Sequence, residues 1–368
     1  MNANNTVRFI DDGLSLLGKE IRIYDLINPI NRIEEKRKFF DCIKKGKEYN
    51  PLFSYRKRDL TPVRKKLDII IKEIKDTDGL SGLFYRKAVY LQSLSELVSI
   101  DKTAFGSSAQ ELFGKPDEAV FAFALGILRR KEDVFSDECV SSQSLEQKLK
   151  ERVAFYNVPW EIVVTSSIVP KVSIRPREGE ILVNAKMNCT ETEVERLLVH
   201  EIEVHMLRGY NGSTQPFKLF NEGTAHYDET EEGLAVFIEK LAGCLDVDKR
   251  QMYLYAARTV AVYYSITESF YEVFHRLREY FPEDIAYRTV ERAKRGLIHT
   301  EDPGAFTKDY YYISGLQKIE KFVTTGGNLE NLFVGKIAID DILLVKQLLK
   351  EGVLLRPRLL PEMLRKNV

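Results

Sequence analysis

One short stretch of the chain breaks a pattern that otherwise repeats every three or four residues. Residues 159–188, "PWEIVVTSSIVPKVSIRPREGEILVNAKMN", are rich in β-branched residues and carry Pro and Gly at the joins, which predicts two or three short strands. On either side the apolar residues recur at helical spacing. Upstream lie "DLTPVRKKLDIIIKEIKD" (59–76), with Pro62 early in the helix, "SGLFYRKAVYLQSLSELVSI" (81–100) and "DEAVFAFALGILRRKED" (117–133). Downstream, helices are predicted around 191–208, around 230–244, as one long element over 250–281, and within 337–352. So small a sheet has to bury its apolar face against helices. The pattern therefore predicts an α+β fold, mostly helical, with a helical N-terminal region over 1–150 and a second domain over 151–368 that holds the sheet.

Composition narrows the classes of function. No apolar run approaches the ~18–20 residues of a membrane span, and the start, "MNANNTVRFIDDG", lacks the basic-then-apolar order of a secretory signal. The four cysteines, Cys42, Cys139, Cys189 and Cys244, are scattered without C-x-x-C spacing and are expected to be buried thiols rather than disulfides or zinc ligands. These features predict a cytoplasmic protein without membrane contact. The formal net charge is zero, but residues 32–75 hold 15 Lys/Arg against 7 Asp/Glu, an excess of eight positive charges. That excess suits either a solvated helical arm or a surface for an acidic protein partner. No nucleic-acid-binding motif accompanies it, so a nucleic acid is not expected.

The chemistry concentrates in "LLVHEIEVHMLRG" (197–209), where His200 and His205 flank Glu201. Thr190 followed by Glu193 predicts a capping box at the start of this helix, and Gly209 a stop. Val194, Leu197, Leu198 and Ile202 form an apolar stripe, with Glu201 and His205 on or beside it. A carboxylate facing a core costs several kcal/mol unless it is paired or linked to a metal. The familiar zinc-binding helix reads H-E-x-x-H, with histidines four apart; here they are five apart. Five residues turn about 140° around an α-helix, which would aim the rings at different neighbours. A π-turn reduces the divergence to roughly 50°. The spacing therefore permits chelation if the helix is widened there, with Glu201 in reach of a water at the metal. The plain alternative is a Glu201–His205 pair supporting a regular helix.

Two histidines leave a tetrahedral zinc short of a third protein ligand. "YDETEEGLAVFIEKL" (227–241) offers one, because an acidic cluster opens an apolar helix. Such acids also favour a helix N-terminus without any metal. Glu231 sits above Leu234, Ile238 and Leu241, so periodicity favours it as the inward residue. Glu232, before Gly233-Leu234-Ala235, resembles the glutamate of zinc peptidases whose second helix reads N-E-G-x-A, and is preferred. "NEGTA" at 221–225, with Glu222, has the same look but no apolar helix behind it.

Together "HEIEVH", "NGSTQP" and "YDETEEGLAVFIEKLAG" resemble the microtubule-associated tyrosine carboxypeptidases and their bacterial QEGLA-motif relatives. The resemblance continues through "LFSYRKRDL", "TAFGSSAQELFGKPDEAV", "GAFTKDYYYISGL" and "LFVGKIAIDDILLVKQLLKEG". It implies a zincin-like catalytic domain over 151–368 and a zinc-dependent carboxypeptidase that removes a C-terminal residue, tyrosine or another aromatic, from a protein or peptide. His200, His205 and Glu232 would bind zinc, and Glu201 would be the catalytic glutamate. A zinc-binding regulatory protein without turnover, and another zinc exo- or endopeptidase, are the alternative readings.

A C-terminal cleaver needs a cation for the substrate's carboxylate. Arg208, Arg295 and Lys308 are the candidates, with Lys308 and Arg295 favoured because their stretches match the family. Tyr227, Tyr310, Tyr311, Tyr312 or His226 would donate to the oxyanion. The strand "EILVNAKM" is expected to offer an edge for the substrate backbone. His275 and His299 have no assigned role.

Overall fold

A computed structural model describes residues 3–99, 104–130, 142–168 and 170–365; Cys139 lies outside these. The protein is α+β and mostly helical, as the pattern predicts, with helices surrounding one three-stranded sheet. Among the N-terminal helices, Thr61–Glu73 carries Pro62 in its first turn, and Asp117 caps Glu118–Leu128 through Val120 N–H. Their buried Leu67, Phe84 and Ala124 join the same apolar cluster as Ile202, Leu234 and Ile313 from the second half. Among the described residues, no helix is long and apolar enough to cross a membrane.

Residues 159–188 form strands β1 (Glu161–Thr165), β2 (Val172–Arg175) and β3 (Glu180–Asn184) in the order β1-β3-β2. β3 is parallel to β1 and antiparallel to β2, with Ile181 opposite both Ile162 and Ile174. This corrects one expectation. β3 is the central strand and both its edges are taken, so "EILVNAKM" has none left for a substrate. The central position follows from its side chains: Ile181, Leu182 and Val183 are all buried, whereas β1 is largely exposed.

Three helical expectations also change in detail. The element over 250–281 is two helices, Lys249–Ser265 and Phe270–Leu277, because Ser269 and Glu272 form a capping box that starts a new one. Thr190 accepts from Glu193 N–H, but the Glu193 carboxylate turns to Lys171 at 2.6 Å, so the box at 190–193 is half made. Gly209 does not stop its helix, which runs on to Ser213. A Cβ there would lie 2.9 Å from Pro176 and 3.1 Å from Trp160, so glycine lets the sheet's loop approach.

Candidate metal centre

The helix after the sheet is built in three consecutive pieces: α-helical Glu191–Leu197, π-helical Leu198–Met206 and α-helical Leu207–Ser213. The widened piece spans both histidines, as their five-residue spacing requires. Their rings lie 4.7 Å apart with planes at 87°. Against them packs Tyr227–Leu241. The ligand atoms of His200, His205 and Glu232 all lie within 4.8 Å of one another, with His200 Nε2 3.7 Å from Glu232 Oε2.

Two imidazoles and one carboxylate are a donor set suited to zinc, whose tetrahedral bonds of about 2.0–2.1 Å separate ligand atoms by about 3.3–3.5 Å. Glu232 Oε2 is buried and has no hydrogen-bond partner among the described residues. A carboxylate oxygen left that way is costly, and a cation is the remedy. The residues present fit the metal.

Each histidine is oriented from behind. Nδ1–H of His200 donates to Glu239 Oε1 at 2.7 Å, and Nδ1–H of His205 donates to Glu231 Oε1 at 2.8 Å. Both Nε2 lone pairs are thereby left toward the centre. The two carboxylates are themselves fixed. Glu239 accepts from Arg196 at 2.9 Å and from Tyr255 Oη at 3.2 Å. Glu231 accepts from Arg208 and lies 3.4 Å from Lys336. Burial alone would raise both acids. The nearby cations outweigh it, Arg208 and Lys336 holding Glu231 far below the carboxylate range and Arg196 with His200 lowering Glu239. Glu239 is the functional candidate that sequence reasoning missed. Its signal was a lone glutamate inside the apolar run "LAVFIEKL", seven residues after Glu232 on the same face.

Glu201 lines a cavity of about 350 Å³ together with His200, Tyr255, Arg258 and Tyr312. It makes no hydrogen bond or ion pair among the described residues. Burial raises its pKa, with His200 and His205 opposing and Glu232 reinforcing the shift. Of the three consecutive tyrosines, Tyr310 and Tyr311 turn their hydroxyls to Phe113 O, at 3.1 and 2.9 Å, whereas Tyr312 lines the cavity.

The remaining sequence candidates lie off the cavity wall. Arg208 is fully buried and donates to Leu332 O, Gly335 O and Ile337 O besides Glu231. Lys308 pairs with Asp228 at 2.7 Å, and Arg295 with Asp309 at 3.0 Å. Tyr227 packs its ring under Lys87 and Lys336, and His226 is exposed. Glu222 accepts from Ser15 and pairs with Arg177, away from both histidines.

A family model described as microtubule-associated tyrosine carboxypeptidase matches residues 37–368. The chain belongs to this family. Microtubule-associated tyrosine carboxypeptidase 1 of rat is 35% identical over 175 residues, 45% of this chain and 35% of the relative. The mouse protein of the same name is 34% identical over 171 residues, 44% of this chain and 34% of the relative. Mouse MATCAP2, named a tyrosine carboxypeptidase only provisionally, is 24% identical over 354 residues, 93% of this chain and 59% of the relative. The matched stretch thus spans about a third of the first two relatives and under two thirds of the third.

Proposed function

We propose that this chain is a zinc-dependent carboxypeptidase that releases a single residue, tyrosine or another aromatic, from a protein or peptide C-terminus. The observation that carries the reading is the convergence of His200, His205 and Glu232, each histidine held by its own buried carboxylate. These three residues would hold zinc, which supplies Lewis-acid polarisation of the scissile carbonyl and a more acidic water. Glu201 takes the proton of the attacking water and returns it to the leaving amine; its burial favours that uptake. The Tyr312 hydroxyl, which burial and Glu232 keep protonated, donates to the oxyanion. Glu239 and Glu231 act behind the site by fixing the imidazole tautomers. The basic 32–75 segment, where residues such as Arg37, Lys44 and Lys47 are half- or fully exposed, is proposed as the surface for an acidic protein substrate, in keeping with relatives named for microtubules.

The test is digestion of a peptide ending in Tyr, as free acid and as C-terminal amide, read by mass spectrometry beside metal analysis. Loss of one residue from the free acid, one zinc per chain, and a drop of at least ~100-fold in Glu201→Gln are expected. Equal cleavage of the amide, or internal cuts, would refute the exopeptidase assignment. Binding of zinc without any turnover would leave a regulatory protein.

A further inference from the structure

The cavity beside the histidines is lined by more cations than its own acids can answer: Lys171, Arg196, Arg250, Arg258, Arg288 and Arg292 against Glu193 and Glu201. Most are met by carboxylates set behind the wall. Arg292 is held by Asp309 through two bonds, at 2.7 and 3.0 Å. Arg196 pairs with Glu239 at 2.9 Å, Lys171 with Glu193 at 2.6 Å and Arg288 with Asp284 at 2.5 Å. Arg250 sits beside Asp248. Arg258 differs from all of these. It makes no ion pair and no hydrogen bond among the described residues.

What holds Arg258 is stacking. Its guanidinium carbon lies 4.8 Å from the ring centre of Tyr312 and 5.5 Å from that of Tyr255. Those two rings are themselves stacked, 4.5 Å apart at 14°. The guanidinium thus sits beside the stacked pair, held by cation–π attraction that uses none of its N–H donors. Burial, and then the neighbouring Arg292, depress its pKa, with Tyr312, Asp309 and Tyr255 opposing the shift. A half-buried cation with no carboxylate in ion-pair contact among the described residues, in a cavity shared with Glu201 and His200, is suited to an anion from outside. The cavity's size is at the lower end of the ~300–1,000 Å³ typical of small-ligand sites, enough for one residue rather than a long segment.

The geometry points to Arg258 as the group that binds the α-carboxylate of the substrate's last residue, an inference that rests on the carboxypeptidase reading above. The carboxylate meets two donors of one guanidinium, a bidentate arrangement that an amide cannot reproduce. Tyr312 then has two roles: its ring supports the anchor, and its hydroxyl serves the reaction.

The test uses Glu201→Gln protein, in which turnover is suppressed, and a labelled peptide ending in Tyr as free acid or amide, with binding read by fluorescence anisotropy. The Glu201→Gln parent is expected to bind the acid at least ~10-fold more tightly than the amide. Adding Arg258→Gln should bring that ratio close to one by weakening the acid alone. Arg258→Lys keeps the charge and much of the packing but loses the fork, so its ratio should fall between the two. With unchanged circular dichroism, an acid preference that survives both substitutions overturns the assignment, as does a parent that binds acid and amide equally. In otherwise wild-type protein, Arg258→Gln should raise KM for the free acid more than it lowers kcat. The two readings separate cleanly. If wild-type protein trims free acids while the preference ignores Arg258, the carboxypeptidase stands and the anchor falls. If the preference follows Arg258 but nothing is cleaved, the anchor stands and the carboxypeptidase falls.

Discussion

Replacing Gly233 by alanine tests whether the centre depends on one helix-to-helix contact. Tyr227–Leu241, which carries Glu231, Glu232 and Glu239, packs on Tyr311–Thr324, which carries Tyr312. A Cβ on Gly233 would lie 2.1 Å from the carbonyl carbon of Gly315 and 2.4 Å from its oxygen, and one on Gly315 would lie 2.2 Å from Glu229 O. Backbone meets backbone there, so no rotamer change makes room. Reaching ordinary contact at 3.4 Å requires the helices to part by 3.4 − 2.1 = 1.3 Å. Alanine gains about 1 kcal/mol of helix propensity, while overpacking of this kind costs about 1–3 kcal/mol or more. Because the clash is with backbone, the upper end applies and net destabilisation of roughly 1–2 kcal/mol is expected. The shift falls next to Glu232, and a misplacement of about 1 Å costs on the order of 100-fold in turnover. Thermal unfolding, zinc uptake and peptide digestion measure the three consequences. Gly126, in the exposed part of Glu118–Leu128, is the control: a Cβ there meets nothing within 4 Å, so Gly126→Ala should be neutral or stabilising. A Gly233→Ala protein as stable and active as the parent would refute the reasoning.

Glu239→Gln should weaken zinc about 10–100-fold, because His200 loses a charged acceptor and Arg196 its shortest ion pair, leaving Asp248 at 3.4 Å and Glu193 at 3.9 Å. Competition with a chromophoric chelator reads this, and unchanged affinity would mean that Glu239 does not set the tautomer. Lys87 gives a pH prediction: burial pulls its pKa down to about 8 against Asp228 and Glu222, with Arg177 and Lys336 adding to the depression. Between about pH 8 and the ordinary lysine value near 10.4, the unfolded chain holds more protons than the native one, so stability rises with pH in that window. Lys87→Met should remove about 2 kcal/mol of the rise between pH 7.5 and 9.5 in urea titrations, and an identical slope in both proteins would contradict it.

Much of the centre was legible because its information is local. Chelation by His200 and His205 at five-residue spacing calls for a widened turn, and Leu198–Met206 is π-helical. Glu232 is marked in the sequence by the Gly233-Leu234-Ala235 that follows it, and its Oε2 lies 3.7 Å from His200 Nε2. What escaped depends on pairing across the chain. Periodicity names the buried face of a helix but not its partner, so Glu239 looked like one charge in an apolar run. Arg258 sits in "LYAARTVAVYY", a stretch that reads as core helix, and its candidacy as an anchor comes from having no ion pair or hydrogen bond among the described residues. Lys308 and Arg295 drew attention by lying in matching stretches, yet Asp228 and Asp309 neutralise them within the fold. Strand order was equally hidden. Three short apolar runs do not say which will be central.

The charges around the histidines suggest one more experiment. Glu231 is answered by Arg208 and Lys336, and Glu239 by Arg196. Glu232 Oε2 has no donor, and Glu201 has no partner among the described residues. Two carboxylates therefore lack a counter-charge, and a dication supplies two positive charges. A self-sufficient ion-pair network loses stability when a member is neutralised. Stored negative charge behaves in the opposite way. In metal-free protein, Glu201→Gln is expected to stabilise the fold by about 1 kcal/mol, the lower end of the scale for an unsatisfied polar group because Glu201 is half-buried, through loss of its repulsion with Glu232. Zinc should then raise the melting temperature of the parent more than that of the variant, since the metal relieves a repulsion that glutamine has already removed. Calorimetry on chelator-treated and zinc-loaded samples of both proteins gives the four midpoints. If metal-free Glu201→Gln melts below the metal-free parent, Glu201 supports the fold through contacts of its own. In that case its freedom to serve as the base would be lost.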